Sequence, residues 1–196
     1  MQIIYETERF ILVPFNRELI QETESKYKKW FYDSEVTRYN SHGLFPYGKE
    51  RFEKYLDMCE SGKEDIVWGI VYKKIEYVDK KRKRYWEQHI GNISLQRINW
   101  IYRSAEFAII IGEKDYWKSG IGFEALTILF KHGFDKLNLH RIWTGTASSN
   151  EGMNKLCMKL GMTLEGIFYD GIFLNGKYRN INCYSIMEDH WKQINR

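Results

Sequence analysis

The chain has 196 residues and a mass of 23.7 kDa, a length that suits a single domain, 1–196, around one core. With 43% hydrophobic residues and a net charge of only +4, from 30 Lys and Arg against 26 Asp and Glu, it is not a disordered chain. That mild positive charge permits an anionic ligand and does not demand nucleic acid.

The opening, Met1 to Glu6, has neither a charged stretch nor an apolar core and does not read as a secretory signal. Phe10 to Phe15 is a short apolar strand closed by Pro14, and Glu18 to Tyr32 reads as a helix ending on aromatics. Asp33 to Tyr47 mixes Ser, Asn, Gly and Pro46 and reads as loop. Phe52, Tyr55, Leu56 and Cys59 recur at i, i+3, i+4 and i+7, the spacing of a second helix. Ile66–Tyr72 and Ile90–Leu95 are β-rich runs. Between them, Lys80-Lys81-Arg82-Lys83-Arg84 reads as a solvated hairpin tip or a contact for an acidic partner.

Ala105 to Ile111 should be a central strand buried on both faces. Its apolar run, Phe107 to Ile111, is far short of the roughly 20 residues needed to span a bilayer. A loop, Gly112 to Gly120, leads to a helix over Ile121–Leu137, and Arg141–Ala147 is a further strand. Ser148-Ser149-Asn150-Glu151 fits a capping box with Ser148 as the N-cap. The helix it opens carries Met153, Leu156, Cys157 and Leu160 on one face. Ile167–Leu174 and Asn180–Met187 read as strands joined at Asn175-Gly176, a strong hairpin signal. The order predicts an α/β fold, a mixed sheet with helices packed on it. Cys59, Cys157 and Cys183 are scattered and fit neither a disulfide scaffold nor a zinc site, so a reducing, cytoplasmic setting is expected, with no metal. The 14 Tyr, 11 Phe and 7 Trp supply more ring area than is usual, to build a core or line a pocket.

The most chemical segment is Tyr116-Trp117-Lys118-Ser119-Gly120-Ile121-Gly122-Phe123-Glu124-Ala125. Glycines at a helix start let a ligand approach the backbone, and free amides at the positive end of the helix dipole favour phosphate. Lys118 adds a cation. Gly120 to Ala125 formally matches the dinucleotide fingerprint G-x-G-x-x-A, but the strand ends well before Gly120 and the next strand closes on Thr146-Ala147 with no acid for a ribose. A P-loop sequence is absent around Gly120.

With these residues in hand, the chain resembles the GNAT N-acetyltransferases, most closely their RimJ/RimL-like branch. Thr7-Glu8-Arg9-Phe10-Ile11-Leu12-Val13-Pro14 is similar to the branch's opening signature T-E-R-L-x-L-R-P. Gly91-Asn92-Ile93-Ser94-Leu95 resembles its third strand, and Ala105 to Ala125 its acetyl-CoA motif, with Gly120, Gly122 and the Glu124-Ala125 pair in place. Asn150 to Met162 resembles N-x-x-S-x-x-x-x-x-K-L-G-F, and the tail from Glu165 through Trp191 resembles the closing strands. There are departures. Trp117 stands where Arg or Gln is usual, Met153 replaces the Ser, Cys157 the Tyr that often serves as general acid, and His190 the closing acid.

The resemblance implies a GNAT fold: a mixed, mostly antiparallel sheet of six to seven strands flanked by about four helices. It implies acetyl transfer from acetyl-CoA to a primary amine by direct attack on the thioester, without a metal. Trp117, Lys118, Ser119, Gly120, Ile121 and Gly122 would cradle the pyrophosphate, the amides of Ile110 and Ile111 would meet the thioester oxygen, and Asn150 would touch the pantetheine. An ammonium must lose a proton before it attacks, and Glu106 is the candidate base, with an ion pair as its competing role. Cys157 is the candidate acid, with a core residue as its competing role. Trp30, Arg38, Tyr39, Phe45 and Tyr169 are the candidate acceptor contacts. The acceptor is left open among a protein N-terminus, an amino sugar and a small polyamine-like amine. Nucleic acid would enter only indirectly, through a ribosomal substrate, no membrane is involved, and a homodimer is left open. A non-catalytic acyl-CoA sensor and a nucleotide-binding oxidoreductase are the alternatives.

Overall fold

A computed structural model describes residues 2–44, 48–62, 65–77 and 83–195. The chain opens with β1 (Tyr5–Glu6) and β2 (Phe10–Pro14), continues through α1 (Arg17–Tyr32) and α2 (Lys49–Ser61), and then runs β3 (Ile66–Tyr77), β4 (Lys83–Asn99) and β5 (Ser104–Ile111). The second half is α3 (Ile121–Asp135), β6 (Arg141–Ala147), α4 (Glu151–Lys159), β7 (Thr163–Leu174), β8 (Lys177–Met187) and α5 (Glu188–Ile194). One eight-stranded sheet holds all the strands in the order β1-β2-β3-β4-β5-β6-β8-β7. Every neighbouring pair is antiparallel except β5 and β6.

Strand alternation sends side chains to two different cores. Phe10 and Leu12 of β2, Trp68 and Ile70 of β3, and Ala105 and Phe107 of β5 join the core under α3, α4 and α5. Ile11 and Val13 of β2 with Val67 and Val71 of β3 join the other, under α1 and α2. On that side α1 contributes Leu19, Ile20, Tyr27, Trp30 and Phe31, all buried at helical spacing, and is capped by Asn16, whose side chain accepts the Leu19 N–H at 3.1 Å. Each fully buried side chain of this size, such as Phe107, contributes about 1.5–3 kcal/mol of transfer free energy.

The sheet has eight strands rather than six to seven, and the described residues form five α-helices rather than about four, with two 3-10 turns at His42–Leu44 and Lys114–Tyr116. The additions are β1, a two-residue pairing with β2, and α5, which lays Trp191 against Phe130 and Phe134. β3 and β4 also run past their apolar segments and stay paired out to Tyr77↔Lys83. The N-cap of α4 is Asn150, not Ser148. Ser148 is held two residues earlier by its N–H donating to the Asn180 carbonyl at 2.8 Å, while the Asn150 side chain accepts the Met153 N–H at 3.2 Å. Phe45 and the basic residues Lys80, Lys81 and Arg82 lie outside the described residues. Among the described residues no helix is long and apolar enough to cross a membrane.

Candidate active site

The sheet is not closed between β5 and β6. β5 pairs with β4 from Asn99↔Ser104 to Gly91↔Ile111, but with β6 only at Ser104↔Arg141, Ala105↔Ile142 and Glu106↔Trp143. β6 itself stays paired with β8 as far as Ala147↔Ile181. Phe107–Ile111 and Thr144–Ala147 therefore diverge, leaving a V-shaped opening whose vertex is the Glu106–Trp143 row.

Strand phase decides which peptide groups face that opening. The Gly112 N–H donates to the Ile90 carbonyl at 2.9 Å, so alternation turns Ile110 toward β4 and Ile109 and Ile111 away from it. Two contacts agree with this phase. A Cβ added to Gly91 of β4 would lie 2.4 Å from the Ile110 oxygen, and the Ile111 carbonyl accepts the Trp117 indole N–H at 2.7 Å. Of the two amides expected to meet the thioester oxygen, Ile111 faces the opening. Ile109, which only strand phase reveals, faces it too.

At the open end lies the glycine loop. Lys118 and Gly120 both have left-handed backbone, with φ of 60° and 84°, and Gly120 is the N-cap of α3. Helix geometry leaves the first-turn amides without partners in the helix. Of these, the Ile121 N–H has a long 3.4 Å bond to the Ser119 hydroxyl, which itself donates to the Tyr116 carbonyl at 2.6 Å. A Cβ on Gly122 would sit 3.2 Å from Ile109 Cδ1, so this glycine lets α3 approach β5 closely. Lys118 is exposed beside the loop.

The other arm of the opening is pinned by Asn154, a residue that the sequence reading passed over. Its amide donates to the Asn150 carbonyl at 2.7 Å and the Ala147 carbonyl at 3.1 Å, and its oxygen accepts from Asn182 at 2.7 Å and the Tyr184 hydroxyl at 3.0 Å. This fixes the end of β6 to α4 and β8, away from β5. The signal available was a polar residue one turn before Cys157 on the apolar face of its helix.

The remaining candidate residues divide into groups. Glu106 sits at the vertex, part-buried, with Arg97 at 3.1 Å. Burial pushes its carboxyl above the usual carboxylate range, partly opposed by Arg97. Cys157 is fully buried in the core under α3–α5, and desolvation pushes its thiol up to about 12. Trp30 is also core: it packs against Gly112, where a Cβ would come within 1.8 Å of its ring, and donates to Glu113 at 2.9 Å. Arg38 lies over Tyr39 at 4.8 Å and over Trp117 at 5.7 Å, which brings the loop after α1 against the glycine loop. Lys114 makes the same junction, bonding Asp33 at 2.9 Å and Glu35 at 3.0 Å. Tyr169 is 80% exposed on edge strand β7. Among the described residues no cluster of His, Cys, Asp or Glu is arranged to hold a metal ion.

A family model described as an acetyltransferase (GNAT) domain matches residues 9–163. The uncharacterized N-acetyltransferase YoaA of Bacillus subtilis is 28% identical over 191 residues, which cover 94% of this chain and 97% of that protein. The spermidine N(1)-acetyltransferase of Escherichia coli K12 is 36% identical over 90 residues, 46% of this chain and 48% of that one. Two solved structures have the same fold. RimL, the ribosomal L7/L12 α-N-protein acetyltransferase in complex with coenzyme A, superposes with a TM-score of 0.77 at 16% identity, over 96% of this chain and 99% of that one. The Vibrio cholerae spermidine N-acetyltransferase, in complex with CoA and spermine, gives 0.74 at 21% identity, over 95% and 99%. The family model covers most of the chain, and the protein that carries this splayed sheet and glycine-capped helix belongs to the GNAT acetyltransferase family.

Proposed function

We propose that this protein moves an acetyl group from acetyl-CoA to a primary amine within the β5–β6 opening. The observation that carries the reading is the break in pairing beyond Glu106↔Trp143, which exposes strand amides beside a helix N-terminus capped by a left-handed glycine. Free amides and the helix dipole at Lys118–Gly122 suit a pyrophosphate, so no metal is needed to offset its charge. The pantetheine arm would then lie along β5, toward Asn150 on the far arm. The Ile111 amide, with that of Ile109, would donate to the thioester oxygen as negative charge develops on it.

Attack by the amine nitrogen on the thioester carbon forms the new C–N bond, and collapse of the tetrahedral species expels the CoA thiolate. The ammonium must first lose a proton. Glu106 takes it, directly or through a water, since its raised pKa brings it nearer to neutrality. Cys157 is sealed in the core, so the departing thiolate takes, through water, the second proton that the newly bonded nitrogen loses as the amide forms.

The acceptor enters from the α1–α2 side, beneath the Arg38–Tyr39–Trp117 stack. It is a primary amine of a protein N-terminus, an amino sugar or a small metabolite. Spermidine and ribosomal-protein enzymes among the relatives make polyamines and protein N-termini the first compounds to try. The test is a screen of amines and N-terminal peptides with acetyl-CoA, read by acetyl mass shift and by release of CoA thiol. A product with one class supports the reading. Tight acetyl-CoA binding with no product from any class would favour a sensor and overturn it.

A further inference from the structure

Two motif residues are left unused by this chemistry: Arg9 of Thr7-Glu8-Arg9 and Glu124 of Glu124-Ala125. They are 115 positions apart in sequence and meet at the glycine loop. Arg9 Nε donates to Glu124 Oε2 at 3.0 Å, and its Nη2 is paired with the same oxygen. Its third nitrogen, Nη1, donates to the Ser119 carbonyl at 3.0 Å. The guanidinium therefore bridges the first turn of α3 and the peptide that enters it.

We infer that Arg9 is a positioning residue for the diphosphate site, setting the orientation of the Ser119–Gly120 peptide through its bond to the Ser119 carbonyl. The inference rests on the acetyl-CoA reading and deepens it. A trans peptide points its C=O and N–H in opposite directions. With the Ser119 carbonyl held toward Arg9, the Gly120 N–H turns to the opposite side, free of a protein acceptor among the described residues and available to a phosphate oxygen. Gly120, at φ 84°, has a backbone that can rotate readily, so an external tether has something to fix.

Arg9 is itself rigidly mounted. The Thr7 hydroxyl accepts the Arg9 N–H at 3.2 Å and the Phe10 N–H at 3.0 Å, and the Lys73 N–H donates to the Arg9 carbonyl at 2.9 Å. The Thr-x-Arg spacing thus reads as a turn that launches one arginine. Its side chain is 39% exposed and that of Glu124 35%, and exposed ion pairs contribute little to stability, so holding the fold is a poor explanation for the arrangement. Only a planar fork can serve the carboxylate and the carbonyl together, which is why a lysine would not substitute fully.

The experiment compares CoA with pantetheine, the same arm without nucleotide or diphosphate, on wild type, Arg9→Gln, Glu124→Gln and the double variant. CoA binding is read by calorimetry and millimolar pantetheine binding by NMR shifts. Arg9→Gln should weaken CoA by about tenfold, as small misplacements of a positioned group do, and leave pantetheine within twofold. Glu124→Gln should weaken CoA in the same direction, and the double variant should be no worse than Arg9→Gln alone, the signature of one shared device. Arg9→Lys should recover part of the loss. Unchanged CoA affinity in Arg9→Gln, or equal loss for both ligands, would overturn the inference. So would tighter CoA binding by Glu124→Gln, because a freed arginine would then be touching phosphate directly. A wild type that binds no CoA would defeat the acetyl-CoA reading itself, and this inference with it.

Discussion

The two sides of β5 behave in opposite ways. On its β4 side the strand is paired from Ser104 to Ile111; on its β6 side the ladder stops after Glu106. Beyond Glu106 the same strand therefore serves as a structural wall on one edge while its other edge has no strand partner. Glycines mark both edges for different reasons. Gly91 on the closed side has no room for a Cβ, which would lie 2.4 Å from a backbone oxygen. Gly120 at the open side has room, with only Arg9 within 4 Å at 3.9 Å, and is required for its left-handed backbone and for the absence of a side chain in the ligand's path. A substitution should damage the fold on one side and the ligand site on the other.

The largest effect is expected from Gly120→Glu. It places a side chain and a negative charge in the phosphate cradle, so CoA binding measured by calorimetry should fall by more than about 100-fold while the circular dichroism spectrum stays that of the wild type. Unchanged affinity would remove the loop from the site. Next is Glu106→Gln at the vertex. Loss of the base should lower kcat by about 100-fold and abolish the acid limb of the pH–rate profile. In the wild type that limb should lie above the usual carboxylate range, since burial raises the Glu106 pKa and activity needs the ionised form. An acid limb that survives in the variant would assign the titration to another group. On the closed side, Gly91→Ala should cost about 1–3 kcal/mol of stability by overpacking, read by urea unfolding, with CoA affinity of the folded fraction retained.

Much of this molecule can be read from its residues, and the unread parts share a cause. β2, the faces of α2 and α4, and the Asn175-Gly176 turn follow from periodicity and turn chemistry, because those are local properties. So does the glycine loop at the start of α3. The splay of β5 from β6 is not local: nothing in Phe107–Ile111 announces that its second neighbour leaves. The same holds for Arg9 reaching Glu124, and for Asn154 gathering Asn182 and Tyr184 from β8. The Cys157 position shows the reverse. The family pattern singles it out, yet its burial is what the apolar helical face already implied. Trp30 likewise carries the ring expected of an acceptor contact, but Gly112 leaves space for that ring to pack into the core.

A smaller effect should appear at the start of β6. Arg141 opens β6 and bonds Glu165, holding that carboxyl down at about 2. A depressed carboxylate adds stability that is full above its unfolded pKa of about 4.3 and is lost as pH falls through the folded value. Glu165→Gln should therefore lower Tm slightly at pH 7, and the gap to wild type should close as pH falls from about 4 toward 2. A gap that is constant with pH would mean that packing, not charge, holds β6 to β7 there.

The contrast between the two edges of β5 is tested most directly by amide hydrogen exchange with and without acetyl-CoA, resolved to single residues by NMR. Ligand should slow exchange at Ile109, Ile111 and Gly120–Gly122, and leave Ile110, already bonded to β4, unchanged. Protection spread equally over Ile109, Ile110 and Ile111, or confined to residues outside the opening, would contradict the account.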